Sequence, residues 1–271
     1  MQLPNPTKLK WHYSELITSD ERQLITKYLP TLFSESNVNE YYRVGNKCIL
    51  KAYCPSIGPV AIKSALHTRI RARIWYKYIE TPSIKNEFRV MKQFFRMGGH
   101  APKPFAIGYD QNSHFFYGAY MLMSWIENVK TASEYIQSLK GNPQDTFWES
   151  MAQAVYDAAK MGLVHGGHSP HNLMVESIQN GFKFFTIDFQ HSTIYKKFNF
   201  NGFVHDVHRF GRRLIIEKTC SIGCVRKWFD IIIKIANLND DEKNLWTSAI
   251  QDNFNKYMIK IGRPLEYYEN H

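Results

Sequence analysis

The sequence has 271 residues, enough for one two-lobed domain or two small ones, and its 44% hydrophobic and 15% aromatic content allows a large core. No stretch approaches the ~18 uninterrupted apolar residues of a membrane-spanning helix, and the amino-terminal MQLPNPTKLKWHYSEL has no apolar h-region, so neither a span nor a secretory signal is expected. The net charge of +10 favours anionic partners, and four cysteines in two separated pairs make no disulfide framework, which points to a reducing cytosol.

In chain order, residues 1–36 read as a helical lead-in, with Thr18-Ser19-Asp20 as a cap before Leu24, Ile25, Tyr28 and Leu29. The period then changes. Glu40 to Val44 and Lys47 to Tyr53 are β-rich runs around Gly45-Asn46, a two-residue hairpin signal. Pro55, Gly58 and Pro59 break the chain, and Val60-Ala61-Ile62-Lys63 fits either a strand or the start of a helix. From Lys63 to Lys77 basic residues interleave with Ile70, Ile74, Trp75 and Tyr76. This run suits a phosphate- or lipid-facing surface, or equally a solvated helix face.

Thr81-Pro82-Ser83 marks a helix start. Ile84, Phe88, Met91 and Phe95 follow at helical spacing until Gly98-Gly99. Glu87 lies at the edge of that stripe, where an acid needs a partner. Phe105 to Tyr109 reads as a strand, Asp110 to Ser113 as a turn, and Phe115 to Trp125 as a central buried strand. Ile126-Glu127-Asn128 links to a second, helix-rich part. There Thr146 and Glu149 offer a capping box for a helix running to Met161. Further helices are expected from Asp206 to Ile216, Val225 to Ile235 and Asp240 to Ile261. The class is α+β with two lobes, residues 1–123 and 124–271.

The chemistry concentrates between Val164 and Gln190. Asp188 stands at the end of a strand-like run, Phe182 to Ile187, and Asn172 ends the preceding loop. Both are hard oxygen donors of the kind magnesium prefers. Phosphoryl transfer needs such donors, a cation for the phosphates, an acid to orient that cation, and a group to address the acceptor hydroxyl.

These residues resemble the protein-kinase-like fold. His165 to Asn172 matches the H-x-D-x-x-x-x-N loop except that Gly167 stands for the Asp. Asp188-Phe189-Gln190 matches D-F-G except at the Gly, and Asp206 sits where such folds place a structural Asp. More narrowly, the chain from Tyr41 to Arg213 resembles the bacterial lipopolysaccharide core kinases, the Kdo and heptose kinase group. Lys47 to Pro55 resembles their lysine strand, Ile84 to Phe88 their Asn-Glu helix, and Ala101 to Pro104 the segment after it.

The resemblance implies ATP and magnesium as cofactors and a lipopolysaccharide core sugar, heptose or Kdo, as acceptor. It gives Lys51 the nucleotide phosphates and Glu87 as partner, with Lys63 as the alternative. Met121, Met123, Ser124 and Trp125 would line the adenine pocket, and Asn172 and Asp188 would hold magnesium. It implies a cytoplasmic protein with peripheral contact to the inner membrane; nucleic acid is not expected as a partner.

Two departures bear on competence. No G-x-G-x-x-G loop covers the phosphates. At Gly167 no carboxylate addresses the acceptor, and His165, His168 or His171 could supply an imidazole instead, or simply pack in the loop. An active sugar kinase, a pseudokinase that binds nucleotide or a partner without phosphoryl transfer, and a metal-dependent hydrolase using the His165/His168/His171 and His205/His208 sets are the three readings, in that order.

Overall fold

The computed structural model describes residues 6–44, 47–66, 83–109, 118–141 and 143–260. The Gly45-Asn46 turn, the basic run beyond Leu66, the Thr81-Pro82 helix start and the 110–113 turn lie outside them. The chain divides into two compact units. One comprises Met1–Arg96 with Pro102–Glu127, the other Met97–Ala101 with Asn128–His271.

The first unit is built on a six-stranded antiparallel sheet. Its strands are β1 (Lys10–Tyr13), β2 (Val38–Val44), β3 (Lys47–Cys54), β4 (Gly58–Leu66), β5 (Pro104–Tyr109) and β6 (Gly118–Ser124), in the order β1-β5-β6-β4-β3-β2. The expected lead-in is therefore part strand: Lys10 to Tyr13 pairs with Tyr109 to Ala106 and extends the sheet. Helix α1 (Ser19–Leu32) starts at a capping box in which Thr18 and Glu21 satisfy each other's backbone N–H. Its Ile25, Leu29 and Leu32 recur at helical spacing and seal one sheet face with Leu50, Ala52, Val60, Ile62 and Leu122. Such burial is worth ~1.5–3 kcal/mol per large side chain.

The alternation of β-strands sends the intervening residues to the other face. Ile49, Lys63 and Met121 are aligned across β3, β4 and β6, and so are Lys51, Ala61 and Met123. Val60 to Lys63 is thus a strand, not a helix start. Helix α2 (Ser83–Arg96) packs against β5 and β6. It buries Ile84, Glu87, Phe88, Val90, Met91 and Phe94; the stripe closes on Phe94, with Phe95 only partly buried.

The second unit carries β7 (Val129–Thr131), α3 (Ala132–Ser138), α4 (Asp145–Lys160), β8 (Leu163–Val164), β9 (Leu173–Ile178), β10 (Gly181–Thr186) and β11 (Thr193–Ile194). Helices α5 (Phe200–Ile216), α6 (Ile222–Ile235) and α7 (Asp240–Lys260) complete it. Its core gathers Phe147, Met151, Phe184, Val207, Phe210, Trp228 and Phe229. The capping box expected from Thr146 does not form. Helix α4 begins two residues earlier, behind Gln144, which makes no side-chain cap. Helix α5 begins at Phe200, six residues before the expected start, because Asn199 accepts the Gly202 N–H and caps it there.

Candidate active site

In the first unit the lysine that meets Glu87 is Lys63. Its Nζ donates to Glu87 Oε1 at 2.6 Å, with both residues buried. The pairing expected of Lys51 is corrected accordingly. The reason is strand order: α2 packs on β5 and β6, β4 neighbours β6, and β3 lies one strand farther out. Lys51 shares the sheet face, but its Nζ sits 5.0 Å from the Trp125 ring centroid. Val60-Ala61-Ile62-Lys63 therefore matches the V-A-I-K lysine strand of the kinase signature. Met121 is fully buried beside Lys63 in the register, while Met123, Ser124 and Trp125 are half-buried at the end of β6.

In the second unit the loop after β8 is fixed by a buried carboxylate. Asp206 on α5 accepts the His165 N–H at 2.5 Å and the Gly166 N–H at 2.9 Å. Burial pushes its pKa up to about 7, against the pull of those two amides. Ser192 Oγ donates to the His165 carbonyl at 3.0 Å, and His165 Nε2 lies 2.9 Å from the Ile187 carbonyl. That contact makes Nε2 the protonated nitrogen of a neutral ring.

The same loop brings the two oxygen donors together. The Ile187 N–H donates to the Asn172 carbonyl at 3.0 Å, which ties the residue before Asp188 to Asn172. Asn172 Nδ2 donates to the Gly167 carbonyl at 3.0 Å, and this orients its amide oxygen away from the loop. Asp188 adopts a left-handed conformation, φ 62 and ψ 60, and Gln190 Nε2 donates to its Oδ2 at 3.2 Å. Asn172 and Asp188 open onto a cavity of about 300 Å³, also lined by Gly167, His171, His191, Arg209, Arg213 and Glu217.

As a donor set, one amide oxygen and one carboxylate fit a magnesium ion that takes its remaining ligands from phosphates and water. No group of three or more His, Cys, Asp or Glu able to hold a metal by itself occurs among the described residues.

The histidines separate into two kinds. His165 and His168 are buried, and burial lowers both pKa values, that of His168 strongly. The His168 ring stands edge-on to Phe210 at 5.0 Å. Neither lines the cavity. The sequence left open whether the loop histidines supply an imidazole or pack in the loop, because it could not show which way the rings point. His171 and His191 do line it. His171 Nε2 is 2.9 Å from Glu217 Oε2, and Glu217 is also 3.9 Å from Arg213. His191, Arg209, Arg213 and Glu217 were not singled out from the sequence; they carry no local motif and meet the loop only through the fold.

Gly167 itself needs no glycine for space. A Cβ there would meet its nearest neighbours, His165 Nδ1 and His191 Cδ2, at 3.6 and 3.8 Å, ordinary contacts. Gly166 is different: its φ is +68, and a Cβ would lie 2.5 Å from the His191 carbonyl oxygen.

A sheet-borne lysine held by a helix glutamate, a loop asparagine and an aspartate after a hairpin define a protein-kinase-like fold. The family model described as lipopolysaccharide kinase (Kdo/WaaP) matches residues 61–227, more than half of the chain. The chain belongs to that family.

Curated relatives include two 3-deoxy-D-manno-octulosonic acid kinases. The one from Pasteurella multocida is 28% identical over 137 residues, 47% of this chain and 56% of that protein. The one from Xylella fastidiosa is 28% identical over 91 residues, 33% of this chain and 34% of that protein. The chain thus spans about half the length of the first and about a third of the second. Similar solved structures include WaaP in complex with acyl carrier protein, with TM-score 0.48, 12% identity and coverage of 95% of this chain and 90% of that one. Another is the Rio2 kinase–ADP/Mg2+–phosphoaspartate complex from Chaetomium thermophilum, with TM-score 0.47, 15% identity and coverage of 84% and 74%.

Proposed function

We propose that the chain is an ATP-dependent kinase that phosphorylates a sugar of the lipopolysaccharide core, heptose or Kdo. The observation that carries this reading is the cavity in which Asn172 and Asp188 face Arg209 and Arg213. Two oxygen donors for magnesium and two guanidinium groups share one cavity, and this suits a phosphorylated nucleotide beside an anionic acceptor. The family membership and the Kdo kinase relatives support the acceptor class. No helix among the described residues is long and apolar enough to cross a membrane, and peripheral contact with the inner face of the inner membrane fits a lipid-held acceptor.

In this reading Lys63, in place of Lys51, contacts the nucleotide phosphates, and Glu87 holds its ammonium in position. Met121, Met123, Ser124 and Trp125 line the adenine pocket. Asn172 and Asp188 hold magnesium, which when bound neutralises charge on the phosphates. Arg213 and Arg209 bind an anionic substituent of the acceptor.

The second reading, a pseudokinase that binds nucleotide without transferring phosphate, is favoured by Gly167. Loss of a catalytic carboxylate costs a factor of ~10²–10⁴, and positioning and electrostatics retain the rest. Nucleotide binding with and without magnesium, followed by phosphate transfer to a core oligosaccharide, separates the two. Magnesium-dependent binding and transfer, both lost in Asp188→Ala, are expected. Binding without transfer to heptose- or Kdo-containing acceptors selects the pseudokinase. Binding indifferent to magnesium and to Asp188→Ala rejects both.

A further inference from the structure

The cavity holds a basic group where the sequence lacks an acid. Gly167 stands at the position of the acceptor-facing carboxylate, and the space beside it is bordered by the buried His165 ring and the exposed His191 ring: a Cβ at 167 would lie 3.6 Å from His165 Nδ1 and 3.8 Å from His191 Cδ2. His191 ends the short 3-10 turn Phe189–His191 that follows Asp188. It is exposed and lines the same cavity as Asn172 and Asp188. Its carbonyl lies close to Gly166, and the pairing of Thr193 with Val164 sets the register of the two segments.

The other imidazoles of the loop are buried or paired. His165 gives Nε2 to the Ile187 carbonyl inside the core, and His168 is sealed against Phe210. His171 is engaged by Glu217, and Glu217 by both His171 and Arg213.

We propose that His191 is a catalytic residue that replaces the missing carboxylate: its imidazole accepts the hydrogen bond of the acceptor hydroxyl and takes its proton. This rests on the kinase reading above. In the step, the sugar O–H bond breaks and its proton passes to a ring nitrogen of His191. The sugar oxygen bonds the γ-phosphorus of ATP. The bond from that phosphorus to the β–γ bridging oxygen breaks, and its electron pair leaves with ADP. A neutral imidazole suits this transfer because its unprotonated ring nitrogen accepts a hydrogen bond, and the ring borders, from a neighbouring turn, space that glycine leaves open.

The test compares wild type, His191→Ala, His191→Gln and the double variant Gly167→Asp/His191→Ala in phosphate transfer to a core oligosaccharide. Nucleotide Kd and thermal melting are measured alongside. His191→Ala and His191→Gln are expected to lower kcat by ~10²–10⁴-fold with nucleotide Kd within about twofold. Restoring a carboxylate in the double variant is expected to recover at least about tenfold of the loss, a rescue that a structural role would not give. The glutamine variant keeps a polar side chain should the alanine variant fold poorly. Transfer by both single variants within about threefold of wild type overturns the proposal, as does a loss that Gly167→Asp leaves unrepaired. Magnesium-dependent nucleotide binding with no transfer by wild type is a different failure. It removes the kinase reading itself, and the proposal with it.

Discussion

Lys63 Nζ stands 2.6 Å from Glu87 Oε1, and both side chains are almost sealed from solvent. Two charges taken out of water together hold each other, and removing one leaves the other stranded. Glu87→Ala or Lys63→Met is expected to lower unfolding free energy by about 3–5 kcal/mol, read from urea denaturation. Lys63→Met/Glu87→Leu is expected to regain much of that stability and none of the transfer activity. Lys51→Met is expected to leave both largely intact, since its ammonium lies against Trp125; equal losses at the two lysines would contradict the assignment of the phosphate contact to Lys63.

Asn172 and Asp188 are both partly buried on the cavity wall. Asp188→Asn and Asn172→Leu are each expected to abolish the magnesium dependence of nucleotide binding while changing stability by less than about 1 kcal/mol. Calorimetric titration with and without magnesium, alongside a melting curve, reads both quantities.

The neighbouring glycines of the loop differ in what they tolerate. Gly166→Ala forces a side chain into a left-handed backbone and against the His191 carbonyl, and is expected to cost about 1–3 kcal/mol. Gly167→Ala meets only ordinary contacts and is expected to change stability by less than about 0.5 kcal/mol. Equal melting shifts in the two variants would show that the loop is not held as described.

His208 on α5 is buried beside His205, Arg209 and Arg212, and burial lowers its pKa from the ordinary 6.5 to about 4. The unfolded chain therefore binds a proton at higher pH than the folded one. The stability from this group is full above pH 6.5 and is lost as pH falls from there through about 4. Asp206, raised to about 7 by burial, acts with the opposite sign: its contribution is full below about 3.8 and is lost as pH rises through about 7. The difference between wild type and His208→Phe isolates the histidine. The stability of the variant relative to wild type is expected to improve as pH falls from 6.5 to 4, and a constant difference would show that His208 does not titrate in this way.

How much was legible follows from how local each constraint is. The β2–β3 hairpin, α1 with its cap and the α2 stripe came from period and cap residues, signals a few residues long. So did the loop from His165 to Asn172 and the Asp188 element, whose spacing within one strip is imposed by the short hairpin β9–β10. Strand β1 was hidden. Four residues with no turn before them and no clean alternation become a strand only because the β5 edge is there to pair with.

By itself, then, the sequence determined the α+β order of elements, the two oxygen donors and the absence of an acid at 167. The tertiary structure alone decided which lysine meets Glu87. Lys51 and Lys63 share a sheet face by strand period, and only the order β6-β4-β3 puts one of them within reach. It alone also decided which imidazoles line the cavity beside Gly167. His191 is brought there by the pairing of β8 with β11, and His171 stays on the cavity wall, while His165 and His168 are turned into the core. Local periodicity and spacing say which residue types occur together along the chain; which side chains touch depends on packing between segments far apart in it.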